Sequence, residues 1–164
     1  VAIQAALTGH LVFSTVHTND AAGAITRLLD MGVENYLISS ALLGVLAQRL
    51  VRVICKTCIE PTKVSPALMV EMGSHDQGDI KTFHGKGCKE CSHTGFRGRT
   101  GIYELLVVDD AIRQLILTKS TAQIIRETAH KKGMTTLRED GWKKVAEGIT
   151  TVEEVLRVTL SEHT

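Results

Sequence analysis

Two Cys-x-x-Cys knuckles of identical spacing, Cys55-Lys56-Thr57-Cys58 and Cys88-Lys89-Glu90-Cys91, constrain this chain more than any other feature. Four thiolates at that spacing can surround a tetrahedral ion, and zinc in a structural role is the ion that such a donor set favours. The 29 residues between the knuckles make a longer loop than the commonest four-cysteine ribbons have. Closure entropy, however, rises by only about 0.6 kcal/mol per doubling of loop length, against roughly 10–16 kcal/mol for zinc in finger peptides. The expected metal ligands are therefore Cys55, Cys58, Cys88 and Cys91. Gly87 and Gly95 flank the second knuckle and suit tight turns that aim backbone amides at thiolates. A redox pair in the cytosol and two disulfides in an oxidising compartment are the competing chemistries. His75, His84 and His93 lie in the same region; they read as ordinary loop histidines, although any of them could replace a thiolate.

The rest of the composition narrows the function classes. A chain of 164 residues, 43% hydrophobic and with a formal net charge of +1, can bury a core and carries no charge imbalance that suggests nucleic acid. Aromatic residues are 4% of the chain, which argues against base-stacking platforms. No apolar run approaches the roughly 20 residues that cross a bilayer, and no signal-peptide pattern opens the chain. The expectation is a cytosolic protein without direct membrane insertion. Its first residues, Val1-Ala2-Ile3-Gln4-Ala5-Ala6-Leu7-Thr8-Gly9, lack an initiator Met and read as the last turns of a helix closed by Gly9, as in a fragment of something longer.

Hydrophobic periodicity gives a coarse element order. Leu11-Val12-Phe13-Ser14-Thr15-Val16 has the length and β-branching of a buried strand, and it ends abruptly in His17, Thr18, Asn19 and Asp20. Thr18 or Asn19 would cap a helix running to about Met31, stopped by Gly32. Glu34 to Leu50 is apolar on nearly every side and reads as one buried helix. From Gly95 to Val108 the glycines and arginines suit either a phosphate-holding loop or a turn into a strand with exposed arginines. Helices are then expected from Asp109 or Asp110, from Ser120-Thr121-Ala122-Gln123, from Thr136-Leu137-Arg138-Glu139 and from Thr151-Val152-Glu153-Glu154; the last three fit the capping-box pattern. In open α/β sheets ligands bind beyond the carboxyl ends of strands. The hydroxyl, imidazole and amide groups after Val16 would suit a γ-phosphate sensor, or simply a capped strand end.

The stretch from Ala5 to Ala21, then Gln48-Arg49-Leu50-Val51-Arg52, the paired knuckles and Gly98-Arg99-Thr100-Gly101-Ile102-Tyr103-Glu104, taken in that order, closely resembles the secretion-superfamily traffic ATPases. The resemblance covers essentially the whole chain and implies an α/β fold. It divides into the C-terminal portion of a RecA-like P-loop ATPase core over 1–54, a tetracysteine metal-binding subdomain over 55–98, and a C-terminal strand with a helical subdomain over 99–164. In that family the first stretch is the "His box", which implies a γ-phosphate-sensing role for His17 with Thr15 and Asn19 beside it. Arg49 and Arg99 would face the nucleotide or a neighbouring subunit. The resemblance further implies Mg-ATP as cofactor beside zinc, and a homo-hexamer at the cytoplasmic face of the inner membrane that docks on membrane-embedded platform proteins. Leu105-Leu106-Val107-Val108-Asp109-Asp110-Ala111 and the run from Gly148 to Thr159 resemble the type II secretion branch. The type IV pilus assembly branch shares the same motifs and is the alternative, whereas retraction ATPases generally lack the cysteines. A zinc-stapled docking module for a membrane partner is the second alternative. The chain departs from the family in having no Walker A: Gly73 and Gly78 have the right separation, but Asp79-Ile80 follows. Walker B carboxylates are missing too, so this chain alone is predicted to have no ATPase activity.

Overall fold

Alternation of burial along residues 44–54 determines how the middle of the chain folds. Val45, Ala47, Arg49 and Val51 turn inward, while Leu46, Gln48, Leu50 and Arg52 are exposed, which is the period-two signature of a strand. The computed structural model describes residues 2–72 and 81–160. It is an α/β fold with the order α1 (Ala2–Leu7), α2 (Ala21–Asp30), α3 (Asn35–Ala41), β1 (Gly44–Ile54), β2 (Ile59–Thr62), α4 (Pro66–Glu71), β3 (Thr82–Gly85), β4 (Phe96–Val107), α5 (Asp110–Leu117), α6 (Ala122–Lys131), α7 (Leu137–Ala146) and α8 (Val152–Thr159). β1 pairs with β4 and β2 with β3, the second pair antiparallel with Ile59 opposite Gly85 and Thr62 opposite Thr82.

The chain gathers into two units, each built from two stretches. One comprises Val1–Ala47 and Glu104–Thr136, the other Gln48–Tyr103 and Leu137–Thr164. Two of their three boundaries fall inside β1 and β4, and the third falls just before α7. The first unit buries Ala21, Ala22 and Ile25 of α2, Ile38 of α3, Leu106 and Val108, and Ile112, Ile116, Ile125 and Ala129 of α5 and α6. The second has a smaller core of Trp142, Val145, Val152 and Val155, against which Val64, Leu68, Met72 and Leu156 pack.

Several sequence expectations are corrected. The single helix from Glu34 to Leu50 is instead α3 followed by β1, because Leu42 is extended (φ −80°, ψ 123°) and ends the helix. An apolar run that looks helical all round is equally a short helix followed by a strand, and periodicity cannot separate the two. No strand forms over Leu11–Val16: residues 10–18 carry no regular structure, and Leu11 is 71% and Phe13 89% exposed. A strand is held by a neighbour's hydrogen-bond ladder, and the described strands pair with one another.

The helix starts hold with adjustments. Asp20, not Thr18 or Asn19, caps α2, accepting from Gly23 N at 2.7 Å. Asp109 caps α5, and Thr121 rather than Ser120 caps α6. Thr151 caps α8 as expected. The carboxylate of Glu154 does not complete a capping box there; it goes to Arg52 and Arg157, at 2.8 Å from each guanidinium. Gly73, His75 and Gly78 lie outside the described residues.

Candidate functional site

The two knuckles converge. The Sγ atoms of Cys55, Cys58, Cys88 and Cys91 all lie within 4.8 Å of one another. Cys55 Sγ is 3.9 Å from Cys88 Sγ, Cys58 is 3.9 Å from Cys91, and Cys88 is 3.8 Å from Cys91. Four sulfurs each about 2.3 Å from a central tetrahedral ion stand about 3.8 Å apart, so the spacing matches an ion-sized centre. No disulfide joins them.

Backbone amides complete the shell. Gly87 N donates to Cys58 Sγ at 3.3 Å, Cys88 N to Cys91 Sγ at 3.2 Å and Gly95 N to Cys91 Sγ at 3.3 Å. Such bonds stabilise thiolate over thiol. The conformations they need are those glycine supplies, with φ +95° at Gly87 and +77° at Gly95. Gly85 at the end of β3 is also required: a Cβ there would stand 2.0 Å from the carbonyl oxygen of Gly95. Two further bonds tie the knuckles together, from Cys55 N to Gly95 O and from Lys86 N to Cys58 O, each 2.9 Å.

The sulfur electrostatics follow from this packing. The Cys88 amide, working against burial and aided by the Gly95 amide, brings the Cys91 thiol down to about 6. The Thr57 amide lowers Cys55. Burial dominates at Cys58 and pushes it up to about 12. Thiolates crowded this closely repel, and a cation among them would relieve that repulsion. The four cysteines can therefore hold a metal ion, and His84 and His93 take no part in the cluster.

The polar stretch after Val16 has a different character. Thr15, His17 and Asn19 are exposed residues of an irregular loop in the first unit. From Thr18 onward the chain is anchored. Thr18 Oγ1 donates to Asp20 O at 3.1 Å, Asp20 is only 4% exposed, and its second carboxylate oxygen pairs with Arg126 of α6. Ala21 N donates to Glu104 Oε1 at 2.9 Å, and Glu104 is itself 2% exposed. In the sequence Asp20 reads as part of a polar strand end or, with Asn19, as a helix cap, and Asp20 is the cap. Glu104 had a readable signal, an acidic residue in register with the inward Ile102 and Leu106, whereas Arg126 had none. Arg49 is half-buried on β1 and Arg99 exposed on β4, both in the second unit. The arginines after Gly95 sit in a strand.

Residues 1–157 match the family described as "Type II/IV secretion system protein". This chain belongs to that family. It is 54% identical over 162 residues to Type II secretion system protein E of Pseudomonas aeruginosa, covering 99% of this chain and 32% of that protein. It is 51% identical over 160 residues to Type II secretion system ATPase E of Vibrio cholerae, of which it spans 31%. Against Type IV pilus assembly ATPase PilB of Thermus thermophilus it is 53% identical over 163 residues, 98% of this chain and 18% of that one. Among solved structures, the pilus retraction motor PilT with bound ADP superposes with a TM-score of 0.60 at 25% identity, covering 96% of this chain and 34% of PilT. The chain thus spans about a third of the secretion relatives it matches. Among the described residues no helix is long and apolar enough to cross a membrane.

Proposed function

We propose that this chain is the part of a traffic ATPase that carries the His box and a structural zinc centre. The whole protein hydrolyses ATP as a homo-hexamer, docked on platform proteins at the cytoplasmic face of the inner membrane, and drives pseudopilus assembly and export through a type II secretion machine. The match of residues 1–157 to the secretion family carries this reading, since nearly the whole chain takes part in it. The 53% identity to a pilus assembly ATPase keeps pilus extension as the second reading.

Hydrolysis by such a protein is phosphoryl transfer to water, catalysed by positioning and charge stabilisation around Mg-ATP. In our reading His17 reports the γ-phosphate, with Thr15 and Asn19 as neighbours. An exposed imidazole can donate to a phosphate oxygen with either ring nitrogen, depending on its protonation. Arg49 and Arg99 serve the nucleotide or an adjoining subunit. Cys55, Cys58, Cys88 and Cys91 would hold zinc; with four protein ligands and no open position, that centre staples the second unit and does no chemistry.

The test is ATP turnover and Mg-dependent nucleotide binding by the full-length protein, its His17→Ala variant and this chain alone. The reading expects full turnover in the first, binding with only slow residual turnover in the second, and neither in the third. A His17→Ala protein that hydrolyses ATP at the normal rate would remove His17 from the mechanism. A full-length protein that folds but binds no nucleotide would leave a zinc-stapled docking module as the better account.

A further inference from the structure

One residue downstream of His17 the loop becomes fixed, and the groups that fix it come from two other elements of the first unit. A helix cap needs only one side-chain oxygen, and Asp20 Oδ1 provides it to Gly23 N at 2.7 Å. The first turn has no slack around that bond: a Cβ on Gly23 would stand 2.7 Å from the same Oδ1. Arg126 adds something the cap does not require. Its guanidinium pairs with Oδ2, so both oxygens of a carboxylate whose side chain is 6% exposed are held, one by its own helix and one by α6. The next amide, Ala21 N, belongs to the set of helix-start donors that need an outside partner, and it takes Glu104 Oε1, 83 positions away. Two acidic side chains therefore serve one helix start, and Arg126 pairs with Asp20 there.

We propose that Arg126 is a positioning residue for His17. By holding Asp20 it fixes the peptides from Thr18 to Ala21, and with them the direction in which His17 leaves the anchored turn. Arg126 need not touch nucleotide for this. The inference rests on the reading that His17 faces the γ-phosphate, and it gives α6 a line to that contact. Ile125 and Ala129 of α6 share a core with Ile25 of α2, so a displacement of α6 reaches the loop through an ion pair and packed side chains.

The experiment is a double-mutant cycle in the full-length protein, reading kcat and KM for ATP in the wild type, Arg126→Gln, His17→Ala and the double variant. Phosphate release is followed for hours where turnover is slow. Arg126→Gln is expected to lower kcat roughly tenfold to a hundredfold, the scale of a small misplacement of a reacting group, with KM nearly unchanged. Arg126→Lys should recover most of it. In the His17→Ala background Arg126→Gln should cost nothing further, because a residue acting through another is not additive with it. Asp20→Asn keeps a capping oxygen and removes the charge, so it should reproduce the loss of kcat even where Arg126→Gln folds poorly. Hydrogen exchange at the amides of Ala21 to Gly23 should quicken in both variants.

Normal kcat in Arg126→Gln and Asp20→Asn, beside a strongly slowed His17→Ala, overturns the proposal and leaves the role of His17 standing. An equal loss with and without His17 makes Arg126 merely structural and overturns it as well. Normal turnover in His17→Ala instead overturns the reading beneath it.

Discussion

The cysteine cluster and the segment before Asp20 were the two most informative stretches of the sequence, and they fold by opposite rules. The cluster joins two locally shaped knuckles that have 29 residues between them in sequence. Each knuckle closes on itself, glycines at 87 and 95 turn amides onto sulfur, and all four Sγ atoms gather within 4.8 Å. Leu11 to Val16 has the composition of a strand, yet it carries no regular structure and leaves Phe13 89% exposed. The paired knuckles bring their hydrogen-bond donors with them, the Cys88 and Gly95 amides for Cys91 and the Gly87 amide for Cys58. A strand borrows them from a neighbour, so its sequence states a preference that only a partner can realise.

Removing the metal is the largest perturbation of the self-contained region. If zinc occupies the four sulfurs, protein purified without added metal should contain one zinc per chain by mass spectrometry, and Cys88→Ser should lose it. Chelation should melt the second unit cooperatively, because the lost binding free energy, roughly 10–16 kcal/mol in finger peptides, exceeds the stability of most domains. A chain that keeps its circular dichroism and melting temperature in strong chelator would break the comparison at its firmer end.

The same contrast explains what could be read in advance. The spacing of Cys55, Cys58, Cys88 and Cys91 foretold their convergence because few backbone paths satisfy two matched knuckles. The start of α8 at Thr151 and that of α5 at Asp109 were legible because a cap is a local bond. The passage from α3 to β1 was not, since Leu42 to Leu50 is apolar enough for either period and tertiary pairing with β4 decides. Glu154 fitted a capping box by pattern, but its carboxylate is claimed by Arg52, 102 positions away, and by Arg157. Similarly, Arg126 is one more charged residue on an amphipathic helix until Asp20 is seen beside it.

Glu154 offers an intermediate effect within the second unit and a check that does not depend on metal alone. Burial by itself would raise its pKa. The Arg157 and Arg52 guanidinium groups and the Arg52 N–H outweigh that and bring it from an ordinary 4.5 down to about 2. A carboxylate depressed on folding stabilises the protein above its unfolded pKa and loses that contribution as pH falls through the folded one. The contribution, on the order of 2–3 kcal/mol, should be complete above about pH 5 and fade between pH 4.5 and pH 2. Urea denaturation of the wild type and Glu154→Gln at pH 6 and pH 3 measures it. The stability gap between the two proteins should narrow at low pH, and because thiolate protonation weakens metal binding in both alike, the gap isolates Glu154. A gap that stays constant would mean that the carboxylate is not held charged by its arginines.

The smallest expected effect tests the other side of the comparison. Phe13 is 89% exposed, so replacing it by Ser in this chain removes almost no buried surface. The change in stability should stay within about 0.5 kcal/mol, as for ordinary surface positions. The same substitution in the full-length protein need not agree. If residues 11–16 there find the ladder their composition asks for, Phe13 becomes a packed side chain, and its loss should cost roughly 3–5 kcal/mol, the range for deleting a large aromatic from a core. Equal and negligible costs in both would mean that the β-branched run is a loop in its working state, and that the strand-like composition before His17 serves something other than a sheet. A large cost in this chain alone would mean that Phe13 is buried in solution, contrary to the exposure seen here. The difference between the two measurements therefore reports directly on whether the segment leading to His17 is ordered by a neighbour, which is the condition under which the anchored turn at Asp20 would hold the imidazole at both ends.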